Sequence, residues 1–200
     1  MKRSFCILGS LLLGAGLVYA EAIVGQPAPE FSATDLDGKK HRLGDYQGRI
    51  VVLEAYNLDC PFCANHFKSG AMQELQAEMT REGVIWLVVN SSNPKSTSYR
   101  SPGAAKKEWA QQKMKASALI ADSDGSVGKA YGLKTTPHMV VIDTKGVVAY
   151  NGAIDDRAES EGDPRKARNY VREAVKALKE GKPVAVSKTK PYGCGVKYAE

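Results

Sequence analysis

The apolar residues of this chain fall into short continuous runs separated by stretches with helical spacing. Residues 49–56 and 84–89 are rich in apolar and β-branched side chains, which predicts two buried strands. Between them, residues 64–81 carry an apolar side chain at every fourth position, which predicts a helix. The same criteria predict three more strands, at 118–121, 138–143 and 147–150, and three more helices, at 104–115, 126–131 and 165–179.

The order of these elements predicts the fold class. Strands separated by helices are normally joined by parallel crossovers, so the centre of the sheet is expected to be mostly parallel. The last two strands meet at Lys145 and Gly146 and form an antiparallel hairpin, and a small N-terminal β-hairpin is expected around Asp37 and Gly38. The prediction is an α/β protein with a mixed central sheet and helices on both faces.

The first twenty residues have the three parts of a secretory signal peptide. Lys2 and Arg3 supply positive charge, residues 5–18 are mainly apolar, and Ala20 ends a small-residue cleavage motif. The apolar run is shorter than the roughly 20 residues that a transmembrane helix needs. We therefore predict a signal peptide at 1–20, cleaved after Ala20, and a periplasmic or otherwise exported protein. An uncleaved N-terminal anchor is the alternative.

Composition fits one globular domain at 21–181, followed by a basic tail at 182–200 that contains Cys194. The chain is 43% hydrophobic and 25% charged, which argues against a mainly disordered chain and a multi-span membrane protein. A formal charge of +6 is only mildly basic. The Lys and Arg residues of 165–190 lack interleaved aromatics, so no nucleic-acid partner is predicted.

Cys60 and Cys63 lie three positions apart where a predicted strand meets a predicted helix. The free N–H groups of a helix N-terminus favour a thiolate at Cys60, and Pro61 suits the first helical turn. A structural disulfide, half of a zinc site and a redox pair all use such a spacing. The strand-to-helix context favours the redox pair, and export makes disulfide chemistry available.

Two segments of the chain resemble a known superfamily. Residues 51–63, which end in Cys-Pro-Phe-Cys, resemble the active-site strand and motif of thioredoxin-like proteins, and residues 132–148 resemble their cis-proline loop and following hairpin. The N-terminal hairpin and an inserted helix–strand element at 94–131 are more similar to the exported TlpA/ResA type and the redoxin (AhpC/TSA) group. The resemblance covers about residues 23–180 and implies a thioredoxin fold.

The resemblance also implies roles for single residues. Cys60 would be the nucleophile, Cys63 the resolving thiol, and Pro137 the cis-proline of a loop that holds an extended substrate by backbone hydrogen bonds. Glu54 would be a buried acid that takes the proton of Cys63; a glutamate that reaches solvent at a strand edge is the alternative. No organic cofactor is implied. The remaining candidates would contact the substrate: Thr136, Pro61 and Phe62.

Three positions depart from the patterns of related families. Asp59 stands where thioredoxins usually have tryptophan, and its carboxylate is expected to raise the pKa of Cys60 if the side chains are close. Leu53 and Asn57 stand where peroxiredoxins have a proline and a peroxide-binding threonine. Direct peroxide reduction is therefore disfavoured, and a thiol peroxidase with Cys60 as peroxidatic cysteine remains an alternative function.

Cys194 and His138 each have more than one interpretation. Cys194, between two glycines, is a third redox cysteine, a cysteine that pairs with another molecule, or an incidental thiol. His138 either tunes the cysteines or is a packed strand residue. A copper-binding protein would use Cys60, Cys63 and either His138 or Cys194, because soft thiolates suit Cu(I).

The favoured function is an exported thiol–disulfide oxidoreductase that acts on protein disulfides or thiols through Cys60 and Cys63. Such a protein needs a redox partner that recycles the pair. A membrane is expected only through export or through a membrane-bound redox partner.

Overall fold

The computed structural model describes residues 22–199. The predicted signal peptide, with its cleavage after Ala20, lies outside the described residues. The strands are β1 (Ser32–Thr34), β2 (Lys40–Arg42), β3 (Val51–Ala55), β4 (Ile85–Asn90), β5 (Ala118–Ala121), β6 (Thr135–Thr136), β7 (His138–Ile142), β8 (Val148–Gly152) and β9 (Cys194–Gly195), and the α-helices are α1 (Pro61–Lys68), α2 (Ala71–Arg81), α3 (Pro102–Gln111), α4 (Ser126–Ala130) and α5 (Tyr170–Lys179).

A five-stranded mixed sheet in the order β5-β4-β3-β7-β8 forms the centre of the molecule. β3 pairs in parallel with β4, and β4 with β5, whereas β7 is antiparallel to both β3 and β8. β1 and β2 form the N-terminal hairpin as a separate pair. The predicted mixed sheet and N-terminal hairpin are therefore confirmed, and the topology is that of a thioredoxin fold.

The core lies on both faces of this sheet. On one face, Val52, Trp86 and Val141 pack against the buried sides of α1, α2 and α5. On the other, Leu53 and Val140 join the side chains of α4 and of the N-terminal hairpin region. Helices therefore cover both faces, as predicted, and the central strand β3 is buried along its whole length. None of the helices within residues 22–199 has the length and apolar character needed to cross a membrane.

The predicted helix at 64–81 is two helices in the structure, which corrects the sequence prediction. α1 ends at Lys68 and α2 begins at Ala71, and between them Gly70 has a φ of 82°. A residue with a Cβ adopts this left-handed conformation at a cost that glycine avoids. The apolar side chains continue across the break, because Phe67 of α1 and Leu75 of α2 enter the same core.

The C-terminal tail, for which no strand was predicted, folds back over the domain. Its short strand β9 pairs antiparallel with β6, the segment just before Pro137. Residues before β9 are also attached to β8: the N–H of Asn151 donates to the carbonyl oxygen of Ser187. The tail therefore reaches the end of the sheet where the Cys60–Cys63 motif lies.

Candidate active site

The Cys60–Cys63 motif lies where the chain leaves the central strand β3 and enters α1. Cys60 is the N-cap residue of α1, with extended backbone angles, and Pro61 occupies the first turn, where its missing N–H costs no hydrogen bond. The N–H of Cys60 donates to the carbonyl oxygen of Asn57 across the turn. Both thiols are shielded from solvent: Cys60 is 1% exposed and Cys63 is fully buried.

The two cysteines have opposite protonation behaviour. A hydrogen bond from the Cys63 thiol, helped by one from Cys194, holds the pKa of Cys60 well below its usual value, although burial opposes this. Burial and the bond to Cys60 raise the pKa of Cys63. Near neutral pH the pair therefore consists of a Cys60 thiolate and a protonated Cys63, the arrangement of a nucleophile and a waiting second thiol.

The loop at Pro137 faces Cys60. The peptide bond between Thr136 and Pro137 is cis, which confirms the expectation for this loop. Cys60 Sγ lies 2.9 Å from the carbonyl oxygen of Thr136, which accepts a hydrogen bond when Cys60 carries its proton. When Cys60 is ionised, its sulfur instead accepts from the backbone N–H of Cys194 at 3.3 Å.

Cys194 reaches this site because β9 pairs with the loop. Residue 194 lies opposite Thr136 in the antiparallel register, and the Thr136 hydroxyl donates to the Cys194 carbonyl oxygen at 3.4 Å. Burial and the neighbouring Cys60 raise the pKa of Cys194 to about 11. The structure thus brings a third thiol to the Cys60–Cys63 pair.

Glu54 is buried in β3, not placed at a strand edge. Its Oε2 accepts hydrogen bonds from Trp86 Nε1 at 2.7 Å and from Gln76 Nε2 at 2.9 Å. Its Oε1 is buried and has no hydrogen-bond partner within the described part of the chain. Burial raises the pKa of Glu54 to about 7, against the bonds from Trp86 and Gln76, and the Glu54 charge in turn helps to raise the pKa of Cys63.

Asp59 does not act on Cys60 in the expected way. Its Oδ1 pairs with Arg100 Nη2 at 2.5 Å, and the same guanidinium reaches Glu108 from its Nε at 3.1 Å. The dominant influences on the pKa of Cys60 are the hydrogen bonds described above, and that pKa is lowered. Asp59 is not among the groups that shift this pKa, and its carboxylate is paired instead with Arg100, which lies far away in the sequence.

Phe62 and Pro61 lie at the rim of the site. Pro61 is exposed, and the ring of Phe62 packs on the ring of Tyr192, with 5.7 Å between centroids. Phe62 therefore contacts the chain's own tail at the place predicted for a substrate.

A second cluster that sequence reasoning missed holds the tail beside α1. Tyr192 donates its hydroxyl to Asp155 Oδ1 at 2.5 Å, and His66 Nε2 lies 3.3 Å from the Tyr192 hydroxyl and 3.6 Å from Asp155 Oδ2. Burial lowers the pKa of His66 to about 4, so the ring is neutral at pH 7. The available signal was an aromatic residue directly before Gly193 and Cys194.

His138 is a packed strand residue, which removes it from the predicted copper site. One of its ring nitrogens accepts from the Lys134 N–H at 3.0 Å, and the other lies 2.7 Å from Asn151 Oδ1. Across residues 22–199, no three His, Cys, Asp or Glu side chains are arranged to hold a metal ion. The copper-binding alternative is therefore not supported.

Leu53 and Asn57, which stand where peroxiredoxins have a proline and a threonine, have other roles in this structure. Leu53 is a fully buried core residue. Asn57 is buried, and its Oδ1 accepts from the Asp59 N–H at 2.9 Å, which shapes the turn before Cys60. Neither residue presents a hydroxyl to a peroxide at Cys60, so the thiol peroxidase alternative gains no support from the geometry.

The sheet order, the two cysteines at the start of α1 and the facing cis-proline loop define a thioredoxin-fold protein with a dithiol site. The model of the AhpC/TSA family matches residues 24–151, and the chain belongs to this family.

Individual relatives agree with this class. The chain is 31% identical over 125 residues to the thiol-disulfide oxidoreductase ResA of Geobacillus thermodenitrificans, across 62% of this chain and 66% of that protein, slightly less than two thirds of its length. A crystal structure of an uncharacterized conserved protein from Geobacillus kaustophilus is 27% identical, with a TM-score of 0.75 over 89% of this chain and 93% of that one. A putative thiol:disulfide interchange protein DsbE from Chlorobium tepidum is also 27% identical, with a TM-score of 0.51 over 66% and 85% of the two chains.

Proposed function

We propose that this protein is an exported thiol–disulfide oxidoreductase that uses Cys60 and Cys63 on protein disulfides. The observation that carries the proposal is the pair itself: a Cys60 with a lowered pKa, which faces the Thr136–Pro137 loop, beside a buried, protonated Cys63. The names of the relatives from Geobacillus thermodenitrificans and Chlorobium tepidum support the same chemistry.

In the reductive direction, the Cys60 thiolate attacks one sulfur of the substrate disulfide, and the other sulfur leaves as a thiolate. Cys63 then loses its proton and attacks the Cys60 sulfur of the mixed disulfide. The substrate's second sulfur leaves as a thiolate, and the Cys60–Cys63 disulfide remains. Two electrons pass from the protein to the substrate, and a thiol-bearing redox partner must return them.

Glu54 is the proposed base for the second step. Its Oε1, which has no hydrogen-bond partner within residues 22–199, and its pKa of about 7 allow it to hold or release a proton in the physiological range. Thr136 and Pro137 are proposed to present backbone groups to the substrate, with Pro61 and Phe62 forming the rim. Export, with removal of residues 1–20, is proposed from the signal-peptide pattern.

Reduction of insulin disulfides by the chain that the proposed cleavage leaves, residues 21–200, tests this function. Cys60→Ser should abolish the activity, because it removes the nucleophile. Cys63→Ser should also stop turnover, and it should leave the protein stalled with a disulfide on Cys60 that mass spectrometry can identify. Full activity in both variants would contradict the proposal.

A further inference from the structure

The last described residues form a strap, residues 187–199, that is fixed to the domain along its length. Its first part is attached beyond β8, where Thr189 Oγ1 accepts from the Ala153 N–H at 2.8 Å. Tyr192 is held by Asp155 and Phe62 next to α1. Its last part is held by several further hydrogen bonds, among them Val196 N to Lys134 O at 3.1 Å, Asn93 Nδ2 to Lys197 O at 2.8 Å and the Tyr198 hydroxyl to Leu133 O at 2.7 Å.

The strap lies on the loop surface that would otherwise accept an extended peptide. β9 uses the backbone of Thr135 and Thr136 for its antiparallel pairing. Gly193 lies so close to this loop that an added Cβ would be 2.0 Å from the Thr136 carbonyl oxygen, and its φ of 117° disfavours any other residue. Gly195, by contrast, has nothing within 4 Å of such a Cβ.

With the strap docked, the three thiols differ in how far they are exposed to solvent. Cys60 is 1% exposed and Cys63 is fully buried, whereas Cys194 is partly exposed. A thiol of another molecule therefore meets Cys194 before it meets Cys60. The Cys194 N–H donates to the Cys60 sulfur at 3.3 Å, and the Cys194 thiol is a further hydrogen-bond partner of that sulfur.

We propose that Cys194 is a third redox residue, through which an external dithiol reductant reaches the buried Cys60–Cys63 disulfide. The proposal rests on the proposed function, because it assigns the recycling half of that cycle. The partner it fits is a dithiol that attacks an exposed sulfur on the strap and needs no access to Cys60.

The exchange balances in three steps, each an attack of a thiolate on a disulfide sulfur. The Cys194 thiolate attacks the Cys60 sulfur of the Cys60–Cys63 disulfide, and Cys63 leaves and takes a proton. A thiolate of the reductant attacks the Cys194 sulfur, and Cys60 leaves as a thiolate. The reductant's second thiolate then attacks its own sulfur in the mixed disulfide, which frees Cys194.

The protonation behaviour of the site supports this order. The thiolate of Cys60 contributes to the raised pKa of Cys194, and this contribution vanishes while Cys60 is held in a disulfide. Cys194 is therefore a better nucleophile toward the oxidised site than toward the reduced one. Cys60, with its lowered pKa, is the favoured leaving group of the second step.

Reduction of the oxidised protein by dithiothreitol, followed by quenching and mass mapping of the cysteines, tests the role of Cys194. Cys194→Ser keeps the strap and removes only the sulfur, so reduction should slow by about tenfold or more. An unchanged or faster rate would overturn the proposal, because it would show that the reductant reaches Cys60 directly.

Alanine variants of the two glycines beside Cys194 test whether the docked position of the strap brings Cys194 to Cys60. In a Cys63→Ala background, glutathione disulfide should produce a Cys60–Cys194 disulfide. Adding Gly193→Ala should prevent it and speed the alkylation of reduced Cys60 by iodoacetamide, whereas adding Gly195→Ala should change neither. Equal behaviour of the two glycine variants would contradict the docking on which the proposal depends.

These outcomes are separable from a failure of the proposed function. If wild-type protein reduces insulin but Cys63→Ala never forms the Cys60–Cys194 disulfide, the oxidoreductase stands and the role of Cys194 falls. If Cys60 and Cys63 form no disulfide while insulin is present, the function itself is wrong.

Discussion

Glu54 places a carboxyl group inside an otherwise apolar strand. The sequence predicts the unusual position, because an acid interrupts the run of residues 49–56, but it leaves burial and solvent exposure equally open. Burial is decided by partners from other elements, Trp86 on β4 and Gln76 on α2, which donate to the same carboxylate oxygen. These contacts depend on tertiary packing, which no local pattern contains.

Glu54→Gln tests the assigned role of the carboxylate at the residue scale. In wild-type protein the rate of mixed-disulfide resolution by Cys63 should rise as pH passes about 7, because Glu54 becomes ionised there. Glutamine cannot take a proton, so the variant should lack this rise and resolve more slowly at pH 8. Single-turnover kinetics from pH 5 to pH 9 measure it.

The exposed Glu74 supplies a matched control for this measurement. Glu74→Gln removes a carboxylate of the same size from the surface of α2, and its pH profile should overlay that of wild type. An unaltered profile in Glu54→Gln would show that another group accepts the Cys63 proton.

Among the elements, α1 and α2 show what apolar spacing can and cannot predict. The spacing identifies the buried side of both helices, because both contribute to one core. It does not place the break at Gly70, since a backbone turn leaves the periodic pattern intact. Ser69 and Gly70 were the local signal, because both residues are common where helices end.

The start of α5 offers a test at the scale of a single element. Asn169 Oδ1 accepts from the Arg172 N–H at 2.8 Å and caps the helix five residues later than the predicted start at 165. Asn169→Ala should lower the free energy of unfolding by about 1 kcal/mol, while Asn169→Asp, which keeps a capping oxygen, should lose far less. Urea denaturation compares the two, and equal losses would mean that the cap contributes little.

For the whole molecule, the buried Glu54 makes stability depend on pH. Its folded pKa of about 7 lies above the ordinary 4.5, so its favourable contribution is complete below about pH 4.5 and is lost as pH rises through 7. Glu54→Gln should therefore gain stability relative to wild type between pH 5 and pH 8, by up to about 3 kcal/mol.

Urea unfolding of both proteins at pH 5 and pH 8 measures this gain. His66, whose pKa is lowered to about 4, has the opposite dependence: its contribution is present above pH 6.5 and is lost as pH falls toward 4. His66 is present in both proteins, so its effect cancels in the difference. A difference that stays constant with pH would show that Glu54 titrates normally.

At this scale the fold class could be predicted from the sequence, but the contact between the tail and the rest of the fold could not. The cysteine motif and the Thr136–Pro137 loop have local signatures, so both could be identified from the sequence. The strap has none, because its two-residue strand β9 depends on pairing with Thr136, and Tyr192 before that strand depends on its hydrogen bond to Asp155. The sequence therefore marks Cys194 as an unusual cysteine, whereas its position at the candidate active site is known only from the structure.

Because the strap is covalently attached, any other molecule that pairs with the Thr136 backbone must compete with it. A tethered segment with a short connection behaves like a ligand at an effective concentration on the order of millimolar. The strap starts only a few residues after α5 ends at Lys179, so its search volume is small. A free peptide must therefore either bind the Thr136 backbone far more tightly than the strap does or arrive while the strap is released. Because the strap belongs to the same chain, diluting the protein does not weaken its side of this competition.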